Sequence, residues 1–74
     1  MKFYYERMRD LREDHDLKQS EMAEILGLTN QQAYQRYESG RVLMPIHLII
    51  LIARYYDVSL DYICGLTDDK RKYW

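Results

Sequence analysis

Residues 29–40 read TNQQAYQRYESG, and the rest of the chain is best understood from them. The stretch sets three glutamines, one asparagine and one arginine around Tyr34 and Tyr37, with no aliphatic side chain beyond Ala33. Amides are costly to bury without partners and add little to solubility, so a run of them points to something outside being read. Tyr34 and Tyr37 stand at helical spacing. If both face a core, about 100° per residue turns Gln31, Gln32, Gln35 and Arg36 partly or wholly away from it. The helix starts at Asn30 or Gln31, runs to about Ser39 and is stopped by Gly40. Two caps compete for its start. Thr29 with Gln32 makes a capping-box pattern, and Asn30 is an equally good cap.

Upstream, residues 19–27 (QSEMAEILG) place Met22, Ala23, Ile25 and Leu26 on one side of a short helix closed by Gly27. Before it, Tyr4, Met8 and Leu11 recur at helical spacing and predict a first helix over roughly residues 3–14. The polar DHD of residues 14–16 ends it, and Leu17 turns inward. Downstream, Pro45 opens a fourth helix at a first-turn position, where its missing N–H costs nothing. That helix reaches Tyr56, with Ile46, Ile49, Ile50 and Ala53 expected to face the core. Ser59 caps a fifth short helix, and Gly65 lies past its end. The expected fold class is all-α, a compact five-helix domain over residues 1–67. A polar tail follows at 68–74, tipped by Tyr73 and Trp74.

Composition is consistent with this. A chain of 74 residues accommodates one small domain with one core. Apolar residues at 47% and charged residues at 31% suit a soluble globular protein. Only three glycines and one proline are present, too few turn residues for a many-turned β fold. Cys64 is the only cysteine, so no intramolecular disulfide forms and a reducing, cytoplasmic home is expected. The charged opening MKFYYERMRD is unlike a signal peptide, and PIHLIILIA is too short to span a membrane. His15, His47 and Cys64 would together make only three metal ligands, so no metal or cofactor is expected. No nucleophile–base spacing and no glycine-rich phosphate loop occurs, so catalysis is not expected either.

The second helix, the turn at Gly27 and the third helix form a helix-turn-helix pattern, with Ala23 small enough for the two helices to cross closely. LKQSEMAEILG, YQRYESG and VSLDYICG stand in an order and spacing that resembles the phage-repressor and Cro class of helix-turn-helix domains, also called the XRE family. The resemblance covers residues 4–66 and implies a lambda-repressor-like fold. It also implies a sequence-specific DNA-binding transcriptional regulator, a repressor acting as a homodimer on a pseudo-palindromic operator. Gln31, Gln32 and Arg36 match the positions that read base edges in the major groove, with Gln35 nearby. Gln19 matches a phosphate-binding glutamine; Lys18, Asn30 and Arg41 complete the expected phosphate contacts. Arg12 and Glu38 match a structural ion pair. The chemistry of these residues agrees. Glutamine offers one donor and one acceptor to the N6/N7 edge of adenine, and arginine forks onto guanine or grips a phosphate.

Two departures and one objection stand against that implication. From Gly27 to Glu38 the chain is one residue longer than is usual for the class, and Lys18 replaces the Ser or Thr expected to cap the second helix. A lysine cannot accept the backbone N–H bonds, and its charge opposes the helix dipole. The objection is charge: eleven basic against twelve acidic residues give a net charge of −1, whereas DNA binders are usually basic. One copy should bind weakly, and two would combine their contacts. Leu48, Leu51 and Tyr55 form a second apolar stripe on the fourth helix, expected to be the homodimer contact. In a monomer, residues 41–44 and the tip Tyr73–Trp74 could cover the same stripe. The rival function is a protein-interaction module, antitoxin-like, that keeps the fold with weak or no DNA binding. For the glutamines the bland alternative is a solvated helix face; for Tyr34 and Tyr37, a core role is preferred to base stacking.

Overall fold

The computed structural model describes residues 2–71. Its helices are α1 (Tyr4–Asp14), α2 (Gln19–Ile25), α3 (Gln31–Glu38), α4 (Ile46–Tyr56) and α5 (Leu60–Ile63), with no strand among the described residues. The tip Tyr73–Trp74, considered above as a cover for α4, lies outside them.

Local chemistry explains where each helix begins. Glu6 accepts the Phe3 N–H at 2.9 Å, and Glu21 accepts the Lys18 N–H at 2.9 Å. In both cases a third-position glutamate reaches back to the capping residue, one half of a capping box. Ser59 caps α5 through its own oxygen, which accepts the Tyr62 N–H at 2.9 Å. Pro45 stands one residue outside α4, as its cap, and not within the first turn as expected.

All five helices stop in the same way. The residue past each end has positive φ: Asp16, Gly27, Gly40, Asp57 and Gly65. The next N–H then returns to the carbonyl five residues back: Leu17 to Arg12, Leu28 to Ala23, Arg41 to Arg36, Val58 to Ala53 and Leu66 to Asp61, at 2.8–3.1 Å. This closure satisfies carbonyls that a helix end leaves open. It also turns Leu17, Leu28 and Val58 toward the core, where all three pack.

That core is drawn from every helix: Met8 and Leu11 of α1, Met22 and Ala23 of α2, Tyr34 of α3, Ile52 of α4 and Ile63 of α5 are buried. Fully burying one such large apolar side chain contributes about 1.5–3 kcal/mol. Ile25 is a correction, since it lies on the exposed side of α2. The inward face of α4 is a second correction. Leu48, Ile49, Ile52, Ala53 and Tyr56 are buried, whereas Ile46 and Ile50 are exposed. The inner seam therefore runs along Leu48, Ile52 and Tyr56 beside Ile49 and Ala53, and the polar residues His47 and Arg54 mark the outer side.

The boundary expected after residue 67 is not a break in the structure. Asp68 pairs with the buried Arg7 of α1, whose guanidinium lies 4.1 Å from the centre of the Tyr62 ring. Ser59 donates its N–H to Lys70 O at 2.9 Å. Residues 68–70 are thus strapped across α1 and α5.

Candidate nucleic-acid interface

Helix α3 is short, and its two sides are set by opposite demands. Tyr34 is fully buried, and Ala33 and Tyr37 are half-buried. Gln31, Gln32, Gln35 and Arg36 are exposed. The three glutamine side chains make no hydrogen bond among the described residues. Their donors and acceptors are unengaged. The start of the helix resolves the choice of cap: Asn30 Oδ1 accepts the Ala33 N–H at 2.9 Å, and the Thr29–Gln32 box does not form. Asn30 is exposed, and with its oxygen committed only the side-chain NH2 remains to meet a ligand.

The far end of α3 is anchored to α1 and α2. Arg12 donates Nε and Nη2 to the two Glu38 carboxylate oxygens, each at 2.9 Å, and Nη1 to Leu17 O at 2.9 Å. The half-buried Gln19 donates Nε2 to the same carboxylate at 3.3 Å. Its amide oxygen and second N–H remain for other partners. The Tyr34 hydroxyl is buried beside Glu38 without completing a hydrogen bond. Burial pushes up the Tyr34 hydroxyl's pKa, and the neighbouring carboxylate pushes it further. Burial alone would also raise the Glu38 carboxyl, but hydrogen bonding from Arg12 in particular holds it below the usual carboxylate range. The helix that carries the amides is therefore fixed by a charged, hydrogen-bonded knot at its last residue.

Net charge understates the local balance. Lys2, Arg7, Arg12 and Arg71 pair with Asp10, Asp68, Glu38 and Asp69. Lys18, Arg36 and Arg41 are exposed and have no ion-pair partner among the described residues. Arg9, Arg54 and Lys70 are likewise exposed without an ion-pair partner among the described residues, so open cations occur on the body of the domain as well as along α2, α3 and the loop after α3. Lys18 is tolerated at the head of α2 because Glu21 takes over part of the capping. The glutamate three residues after Lys18 is the signal for this in the sequence.

The expected dimer stripe is only partly present. Leu51 and Tyr55 are exposed at 42% and 48%, but Leu48 is a correction: at 7% it belongs to the protein's own core. Ile46 and Ile50 are exposed on the other flank of α4, separated from Leu51 and Tyr55 by His47 and Arg54, and Val42 and Leu43 of the adjoining loop are also exposed. The polar His47 and Arg54, seven apart, already marked that face in the sequence. A shallow hollow lined by Ile50, Ala53, Arg54 and Leu60 adjoins it.

The other singled-out residues form no site. His15 ends α1, with Nδ1 hydrogen-bonded to Leu11 O at 2.8 Å and its ring against Tyr56. Cys64 is half-buried, and burial raises its thiol pKa. Among the described residues no three His, Cys, Asp or Glu side chains gather as metal ligands, and no helix is long and apolar enough to cross a membrane.

Residues 8–63 match the family described as helix-turn-helix. The chain is similar to an uncharacterized HTH-type transcriptional regulator, YobD, of Bacillus subtilis, with 42% identity over 66 residues, or 89% of this chain and 58% of that protein. It is similar also to the cryptic phage CTXphi transcriptional repressor RstR of Vibrio cholerae, with 30% identity over 69 residues, or 90% of this chain and 61% of the relative. A putative HTH-type transcriptional regulatory protein of Pyrococcus furiosus is 36% identical over 55 residues, which are 74% of this chain and 17% of that protein. The chain thus spans less than two thirds of the length of each of these relatives.

Proposed function

The chain belongs to the phage-repressor and Cro class of helix-turn-helix proteins, the XRE family, whose members bind DNA and regulate transcription, and from this we propose a repressor that reads a pseudo-palindromic operator. Each α3 enters the major groove, and two copies occupy half-sites about one helical turn apart. The observation that carries this reading is the sidedness of α3: three unengaged amides and Arg36 face solvent while Tyr34 is sealed beneath them. Gln31, Gln32 and Gln35 present the donor–acceptor pair suited to adenine, and Arg36 suits guanine or a phosphate. Each good bidentate contact is worth about 1–3 kcal/mol of discrimination. Lys18, Gln19, Arg41 and the NH2 of Asn30 hold phosphates and set the register without reading sequence. The likeness to a phage transcriptional repressor supports the sign of regulation.

Few free cations imply weak binding by one copy, and pairing two copies raises the affinity. The outer side of α4, with Leu51 and Tyr55 exposed on one flank and Ile46 and Ile50 on the other of the polar His47 and Arg54, supplies a partly apolar surface for a second copy. The same surface is what favours a second reading, a module that binds another protein. Selection from a pool of random duplexes at low salt separates the two. A repressor enriches one motif with inverted symmetry; an unenriched pool replaces it with the interaction module.

A further inference from the structure

The loop between α3 and α4 carries Arg41, and it is gripped at both ends by consecutive tyrosines of α1. At its near end Gly40 lies under the Tyr5 ring so closely that an added Cβ would stand 2.8 Å from a ring carbon. Gly40 also has φ +80°, where a side chain is strained whatever the space. At its far end the Met44 N–H donates to the Tyr4 hydroxyl at 3.1 Å. Between the grips, the Arg41 and Val42 N–H groups both return to Arg36 O, at 3.1 and 3.3 Å. The Arg41 backbone is thereby tied to the last turn of α3 while its side chain stays exposed and unpaired among the described residues. The two rings lie edge to face, with centroids 5.5 Å apart, so each braces the other.

We propose that Tyr4 and Tyr5 are positioning residues for DNA binding. They clamp residues 40–44 so that Arg41 is held in fixed register with α3 and reaches a phosphate without first being ordered. This rests on the DNA-binding reading above. An arginine on a loose loop must lose conformational freedom on binding, and a clamped one has lost part of it in folding. The clamp acts on a phosphate contact, so it tunes affinity for every duplex and leaves base preference alone.

The experiment is a double-mutant cycle read by DNA affinity and its salt dependence, using Tyr4→Phe, Tyr5→Leu, Arg41→Ala and the two double variants. Tyr4→Phe removes only the hydroxyl that receives the Met44 N–H. Tyr5→Leu removes the ring over Gly40, and the paired variants keep the test alive if one of the two folds poorly. Thermal unfolding identifies the variants that are folded at the assay temperature. The expected result is a loss of affinity of about threefold for each folded tyrosine variant, equal on the preferred and on a scrambled duplex. It comes with a fall of up to about one in the slope of log affinity against log salt, the size of one lost phosphate contact. In the Arg41→Ala background both tyrosine substitutions become silent. The proposal is overturned if a folded Tyr4→Phe or Tyr5→Leu variant binds like wild type while Arg41→Ala is weakened. It is overturned equally if the losses add in full. If the wild type binds no duplex at low salt, the DNA-binding reading itself falls, and the clamp with it.

Discussion

Arg12 of α1 and Glu38 at the end of α3, twenty-six residues apart, meet through two parallel N–H to carboxylate bonds of 2.9 Å, with the Glu38 side chain only 4% exposed. Glu38 also takes the amide of Gln19, the first residue of α2. One carboxylate thus ties together the helix proposed to read bases, the helix proposed to meet the phosphate backbone and the helix that supports both. Without Arg12 the buried Glu38 carboxylate keeps only the neutral Gln19 amide, which leaves its charge uncompensated. Arg12→Ala should therefore cost about 3–5 kcal/mol of stability, measured as a shift in the urea midpoint at constant slope.

The same pair has a pH signature. The folded Glu38 carboxyl sits below its ordinary value, so its contribution is fully present above the unfolded pKa near 4.5. It is lost as pH falls through the lowered folded value. Glu38→Gln should lower stability at pH 6 and flatten the acid limb of a plot of urea midpoint against pH. An acid limb as steep as that of wild type would assign the acid sensitivity to other carboxylates.

Base reading and phosphate holding separate by mutation. Gln32→Ala should weaken the preferred duplex by about 1–3 kcal/mol and leave scrambled duplexes almost unchanged. Lys18→Ala should weaken all duplexes alike and lower the salt slope by about 0.9. Titrations of both variants on both duplexes at several salt concentrations distinguish the roles. Identical behaviour of the two variants would leave no basis for a readout by the amide.

Association through the outer face of α4 is tested by Leu51→Glu, which sets a charge one turn from the exposed Tyr55 and outside the buried core. Sedimentation equilibrium should give a dimer mass for wild type and a monomer mass for the variant, with unfolding little changed. A monomer mass for both would assign that face to something other than a second copy.

Asp16 bears on how helices stop. It stands at φ +54°, past the end of α1, where glycine serves at the ends of α2, α3 and α5. Asp16→Gly should hold or raise stability, while Asp16→Val should cost about 1–2 kcal/mol, because a branched side chain fits that region badly. Calorimetry of the two variants checks the sign.

Much of this architecture was legible in the residues. Glycines 27, 40 and 65 marked three helix ends, and Ser59 marked a start, because these side chains act locally. The sidedness of α3 was legible because tyrosines and amides differ sharply in what burial costs them. The orientation of α4 was harder to read. Leu48, Ile49, Ile50, Leu51 and Ile52 are consecutive and apolar, so periodicity could not select a face, and only the sparse polar marks His47 and Arg54 held that information. The closures at Asp16 and Asp57 were hidden because aspartate is only occasionally left-handed. The strap of Asp68 and Lys70 on Arg7 and Ser59 joins groups far apart in sequence, so no local pattern announces it. The Tyr5 ring over Gly40 was hidden for the same reason.

Whether the exposed amides of α3 touch bases is tested most directly by nuclear magnetic resonance of their side-chain NH2 groups. With the selected duplex added, the Gln31, Gln32 and Gln35 side-chain resonances should shift and show contacts to major-groove protons. Resonances of the α4 outer face should move only if dimerisation is coupled to binding. Glutamine side chains that stay at their free positions while the duplex is demonstrably bound would contradict the account.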